Sequence, residues 1–97
     1  MIDYKVSFGI PQLVLGITPT HRITIGHATE IFTYWYVQDN SRCQPFNEAK
    51  DLALIELMLA NSQELVVGQI QSFALGSNRV YRLQRIDAHI FIITSMQ

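Results

Sequence analysis

Three histidines are the residues of this chain most suited to binding a metal ion. His21 and His27 would lie on the same side of a predicted strand, and Glu30 follows close by in the sequence. Six residues of extended chain span about 20 Å, which is too far for both imidazoles to bind one ion unless the strand bends sharply at Gly26. The third histidine, His89, is isolated. We therefore predict neither a metal site nor a cofactor.

Cys43 is the single cysteine, so it cannot form an internal disulfide, and we expect a reducing, cytoplasmic compartment. The neighbouring Arg42 could lower the pKa of the thiol. A catalytic cysteine also needs a histidine base close to it in the fold, and the sequence shows no such pairing. Phosphate-binding glycine loops and Cys-x-x-Cys or His-Glu-x-x-His patterns are absent. The sequence predicts a protein that is not an enzyme, and a reaction at Cys43 is the third hypothesis.

Charged residues are scarce in the 97-residue chain, which is short enough to form a single domain over residues 1–97. They make up 15% of it, whereas about 25% is typical, and hydrophobic residues make up 48%. This imbalance indicates that part of the surface is covered by another molecule. The net charge of -1 gives no general attraction for nucleic acid or anionic lipid, and we expect no membrane association.

The elements that position these residues follow from hydrophobic periodicity. Strands are predicted where side chains alternate or where β-branched and aromatic residues dominate, in YKVSF, QLVLGIT, HRITIGH, TEIFTYWYVQ, ELVVGQIQSFAL, RVYRLQRI and AHIFIITSM. A helix is predicted from Asn47 to about Ala60, capped by Asn47. Arginines at every third position would line one face of a helix, so a helix remains an alternative to a strand for residues 79–86. The order predicts an α+β domain, a mainly antiparallel sheet or a small partly closed β-barrel with one inserted helix.

Apolar side chains are in excess at two places. On a helical wheel the predicted docking face collects Ala49, Ala53, Leu54, Leu57, Met58 and Ala60. The opposite, acidic side nevertheless also carries Leu52, Ile55 and Leu59. In the aromatic strand, Phe32, Tyr34 and Tyr36 share one face. Either the helix is deeply buried and the strand central, covered on both faces, or these six residues form a protein interface. On the second hypothesis, Ile55→Glu leaves the fold intact and disrupts assembly.

The leading prediction is therefore a small protein-binding module that acts through self-association or a partner chain, as an adaptor, an inhibitor or immunity-type protein, or a viral assembly protein. The alternative is an oligonucleotide-binding barrel for single strands, in which bases stack on aromatic rings beside basic side chains. Its residues would be Tyr34, Tyr36, Arg79, Arg82 and Arg85. Strand parity places Arg79 and Arg85 on one face and Arg82 on the other, so a continuous basic groove does not follow from the pattern.

Overall fold

The computed structural model describes residues 3–8, 16–38 and 52–96. These residues form six strands and one helix, in the order β1 (Asp3–Phe8), β2 (His21–His27), β3 (Glu30–Gln38), α1 (Leu52–Ser62), β4 (Ile70–Leu75), β5 (Arg79–Asp87) and β6 (Ile90–Ser95). In the described part of the chain, no helix is long and apolar enough to cross a membrane.

One open sheet contains all six strands, in the spatial order β1-β2-β3-β6-β5-β4. The central pair, β3 and β6, is parallel, and every other neighbouring pair is antiparallel. The chain leaves the sheet centre after β3, passes through α1 and returns at the far edge as β4. The prediction of an α+β domain with a mainly antiparallel sheet and one inserted helix is confirmed, and an open sheet is formed rather than a barrel.

Several predicted boundaries differ from the structure. Residues 79–86 belong to strand β5, so the helical alternative does not occur. The stretch ELVVGQIQSFAL is strand only from Ile70, because turns occupy residues 63–64 and 67–68. Helix α1 continues two residues past Ala60, with the Ser62 hydroxyl donating to the Met58 carbonyl one turn earlier. The Asn47 cap, the loop with Cys43 and most of QLVLGIT lie outside the described residues.

Two apolar clusters lie on opposite faces of the sheet. The larger one joins buried side chains of α1 to one face of the strands. It contains Ile23, Ile25, Phe32, Tyr34, Tyr36, Leu54, Ile55, Met58, Leu59, Leu65, Tyr81, Leu83, Phe91 and Ile93. The smaller cluster is formed by Trp35, Val37 and Ile92. The helix α1 packs on the face with the larger cluster, so that face holds the main core. The outer strands β1 and β4 are the two edges of the described sheet.

Candidate protein-binding surface

The aromatic strand is in the interior of the molecule. Tyr34 and Tyr36 are fully buried and Phe32 is nearly so, all three in the cluster beneath α1. Tyr34 stacks on Phe91 of the neighbouring strand, with ring centroids 4.8 Å apart and planes 15° from parallel. Trp35 is buried on the other face. The aromatic run is therefore a central strand covered on both faces, which agrees with the first of the two hypotheses. Its buried rings are not available to a partner.

The buried face of the helix takes residues from both predicted sides. Leu54 and Met58 of the predicted docking face are buried, and Ile55 and Leu59, assigned from the sequence to an interface, are buried with them. Ala53 and Ala60 of the predicted docking face are exposed. Burial of a branched side chain removes more apolar area from water than burial of an alanine methyl, so the larger side chains face the sheet. Leu52 alone of the predicted trio is exposed, at 50%. Ile55 is fully buried, so the structure predicts that Ile55→Glu disrupts the fold, contrary to the expectation from the sequence.

A buried polar contact ties α1 to the centre of the sheet. The Tyr34 hydroxyl and the Ser62 Oγ are hydrogen-bonded at 2.5 Å, and Ser62 Oγ in turn donates to the Met58 carbonyl. Burial raises the pKa of Tyr34 to about 12, against smaller opposing effects of the Ser62 hydrogen bond and the Arg85 charge. Tyr34 is therefore a neutral structural group that holds the end of the helix on β3.

The five residues of the nucleic-acid alternative do not form one surface. The guanidinium groups of Arg79 and Arg85 lie over the rings of Tyr81 and Phe91, each 5.3 Å from the ring centroid, on the face that carries α1. Arg82 is exposed on the opposite face, as strand parity predicted. A base cannot stack on Tyr34 or Tyr36 while their rings are fully buried.

The three histidines lie in different environments. His21 is buried and its Nδ1 is hydrogen-bonded to Thr20 Oγ1 at 2.9 Å, whereas His27 is exposed at the end of the same strand. His89 Nε2 lies 3.1 Å from a carboxylate oxygen of Glu30 at the surface. Within residues 3–8, 16–38 and 52–96, no group of three potential metal ligands occurs.

Exposed apolar residues instead concentrate where α1 is followed by β4. Val66, Val67 and Ile70 are 65%, 58% and 55% exposed. We call these three side chains, together with the outward-facing backbone of β4, the β4 edge patch. Exposed apolar side chains that adjoin one another are typical of interaction sites, whereas single ones are ordinary. Leu52 lies at the opposite end of α1, about 15 Å along the helix axis, and does not belong to the patch.

The loop that carries the two valines is fixed by backbone hydrogen bonds. Gly68 N donates to the Arg85 carbonyl at 2.8 Å, and Arg85 N donates to the Gln69 carbonyl at 3.0 Å. Val66 N donates to the Gln69 side-chain oxygen at 2.9 Å. Gly68 has a φ of +92°, which favours glycine at this turn. The Arg85 guanidinium also donates to the carbonyls of Leu65 and Ala88, so the loop is bound to the β5–β6 turn.

The two edge strands of the sheet differ in charge. Edge strands of soluble proteins commonly carry charged residues that prevent unwanted strand pairing. Strand β1 contains Asp3 and Lys5, whereas β4 has the sequence IQSFAL and contains no charged residue. In the described part of the chain, β4 pairs only with β5, so its outer edge has no strand beside it. No charged side chain on β4 therefore opposes the pairing of this edge with another strand.

The sequence pattern did not indicate this patch, because it placed Val66 and Val67 in the predicted strand ELVVGQIQSFAL. Gly68 was a turn signal within that segment. The missing charge in IQSFAL is also visible in the sequence, but only the strand order identifies β4 as an edge.

A scan against protein-family models and searches of curated proteins and of solved structures find no match to this chain.

Proposed function

We propose that this protein is a small non-enzymatic protein-binding module that acts through the β4 edge patch, principally by self-association, with a specific partner chain as the other form of the same function. The observation that carries the proposal is the coincidence of exposed Val66, Val67 and Ile70 with an uncharged outer strand. Apolar side chains provide association free energy through removal of their surface from water, and an open strand edge provides directional hydrogen bonds.

The proposal accounts for the low charge content of the chain. A protein with 15% charged residues exposes comparatively few groups that keep it monomeric, and the apolar surplus lies partly at this patch. The single-strand nucleic-acid alternative receives no similar support, because its aromatic residues are core residues and its arginines lie on two faces.

The proposal is tested by sedimentation of three purified proteins over the same concentration range. We expect the unmodified chain to self-associate and Val66→Asp/Val67→Asp to sediment as a monomer, because aspartates in a buried contact lose hydration without a partner. Ile31→Asp is the matched control, since Ile31 is equally exposed, at 67%, but lies on β3.

Circular dichroism establishes that all three proteins are folded. Equal association of the unmodified chain and the double-aspartate variant would contradict the proposed patch. A decrease of the same size in Ile31→Asp would contradict its location.

A further inference from the structure

We infer, as a refinement that rests on the proposed function, that two copies of this chain pair antiparallel along their β4 strands, with Ser72 opposite Ser72 of the second copy. The two sheets then continue into one. The occupant of the β4 edge is thus a second copy of the chain, a choice that backbone direction, register and charge support.

Backbone direction along β4 is set by its hydrogen bonds to β5. Arg85 N donates to the Gln69 carbonyl, so Gln69 faces β5. Backbone groups alternate direction along an antiparallel strand, and Gln71, Phe73 and Leu75 therefore also face β5. The N–H and C=O groups of Ile70, Ser72 and Ala74 point to the open side. These three residues are the ones that can hydrogen-bond to an added strand.

Register follows from the requirement that outward residues meet outward residues. An antiparallel pair centred on Ser72 places Ile70 opposite Ala74 of the second copy and Ala74 opposite its Ile70, which uses all three outward residues of each strand. The two neighbouring registers allowed by the same rule are centred on Phe73 and on Gln71. The first would place Ile70 opposite Gly76 and the second would place Ala74 opposite Gly68, turn residues with φ of +73° and +92°, so each would lose one of these pairs.

Side chains match in the register centred on Ser72. Directly opposed residues share a face, so the large Ile70 side chain meets the small Ala74, and Phe73 meets Gln71. The turn at residues 76–78 of the second copy would lie beside Val66 and Val67 and cover them. All of these residues are uncharged.

Charge is the reason to favour a copy over an unrelated strand. In a symmetric pair, any charged residue at the centre of β4 would lie opposite or diagonal to its own copy, and like charges in those positions destabilise a sheet. A strand with no charged residue avoids this repulsion entirely. An unrelated partner would impose no such restriction, and a charged one would favour opposite charges on β4.

The test uses substitutions at the proposed symmetry centre. Ser72 is exposed, so Ser72→Lys and Ser72→Glu are expected to fold, as monitored by thermal unfolding. Ser72→Lys alone places like charges opposite each other and beside Arg82, the cross-strand neighbour on β5, and should raise the dimer dissociation constant about tenfold or more in light scattering. Ser72→Glu should have a smaller effect in the same direction, because Arg82 partly offsets its charge. An equimolar mixture of the two variants should restore association, and native mass spectrometry should detect a dimer with one copy of each variant. Ser7→Lys on the other edge strand is the matched control and should associate as the unmodified chain does.

Each result separates the pairing from the proposed function. If Ser72→Lys associates as strongly as the unmodified chain, strand pairing at β4 is overturned while self-association stands. If both charged variants are monomers and their mixture gives no mixed dimer, the register is overturned. If the unmodified chain is a monomer throughout the concentration range, both the pairing and self-association are overturned.

Discussion

The Tyr34 hydroxyl is held inside the core by the Ser62 side chain, and this pair joins the last turn of α1 to the central strand. A buried hydroxyl that loses its partner keeps the cost of its lost hydration. We therefore expect Ser62→Ala to lower the free energy of unfolding by about 1–3 kcal/mol. In the double variant Tyr34→Phe/Ser62→Ala the unpartnered hydroxyl is gone, so the loss should be smaller than the sum of the two single losses. Urea unfolding of the four proteins measures this, and strictly additive losses would contradict the contact.

The same tyrosine makes stability depend on alkaline pH. Its pKa is about 12 in the folded protein, against an ordinary value of 10, so the folded state retains the proton more tightly than the unfolded state. The stability that the fold gains from keeping Tyr34 protonated is complete below pH 10 and is lost as the pH rises towards 12. A shift of two units corresponds to about 2.7 kcal/mol.

The expected readout is the difference in unfolding free energy between the unmodified chain and Tyr34→Phe. Other groups titrate in both proteins, so the difference isolates Tyr34. This difference should be constant below about pH 10. Above that pH, the unmodified chain should lose stability relative to Tyr34→Phe. A constant difference from about pH 9 to about pH 12 would show that Tyr34 is not buried as a neutral group.

At the scale of elements, α1 is held by the side that carries its larger apolar residues. Ile55 is fully buried while Leu52, three residues earlier, is half exposed. We expect Ile55→Glu to prevent stable folding, because an unpaired charge in the core costs several kcal/mol. Leu52→Glu, the matched control, should change the unfolding free energy by about 0.5 kcal/mol or less. Circular dichroism with urea titration distinguishes the two variants. A folded Ile55→Glu variant would contradict the burial of Ile55 in the core.

Elements were predictable from the sequence where one face is apolar and the other polar. Strands β2 and β5 alternate in this way, and the structure contains both. The exact face by which α1 packs on the sheet was not predictable, because Leu52, Ile55 and Leu59 on one side and Leu54 and Met58 on the other leave its pattern nearly uniform. A helix that is apolar all round is oriented by the shape of the sheet beneath it, which the sequence does not show.

At the scale of the whole molecule, strand order decides which apolar residues are interior. The parallel contact of β3 with β6 places the aromatic strand at the centre and leaves β4 at an edge. This contact joins residues about 57 positions apart in the chain. Local periodicity carries no information on such a pairing. The sequence therefore indicated surplus apolar surface but assigned it to Phe32, Tyr34 and Tyr36 instead of Val66, Val67 and Ile70.

The central claim is that the outer edge of β4 binds a second copy of the chain, and amide hydrogen exchange of the unmodified chain tests it most directly. The amides of Ile70, Ser72 and Ala74 point outward, whereas those of Gln71 and Phe73 are directed towards β5. We predict that exchange of the outward amides slows as protein concentration rises, because association gives them hydrogen-bond partners. The inward amides should be protected at every concentration. Fast exchange of the outward amides at all concentrations, with the inward ones protected, would contradict the claim.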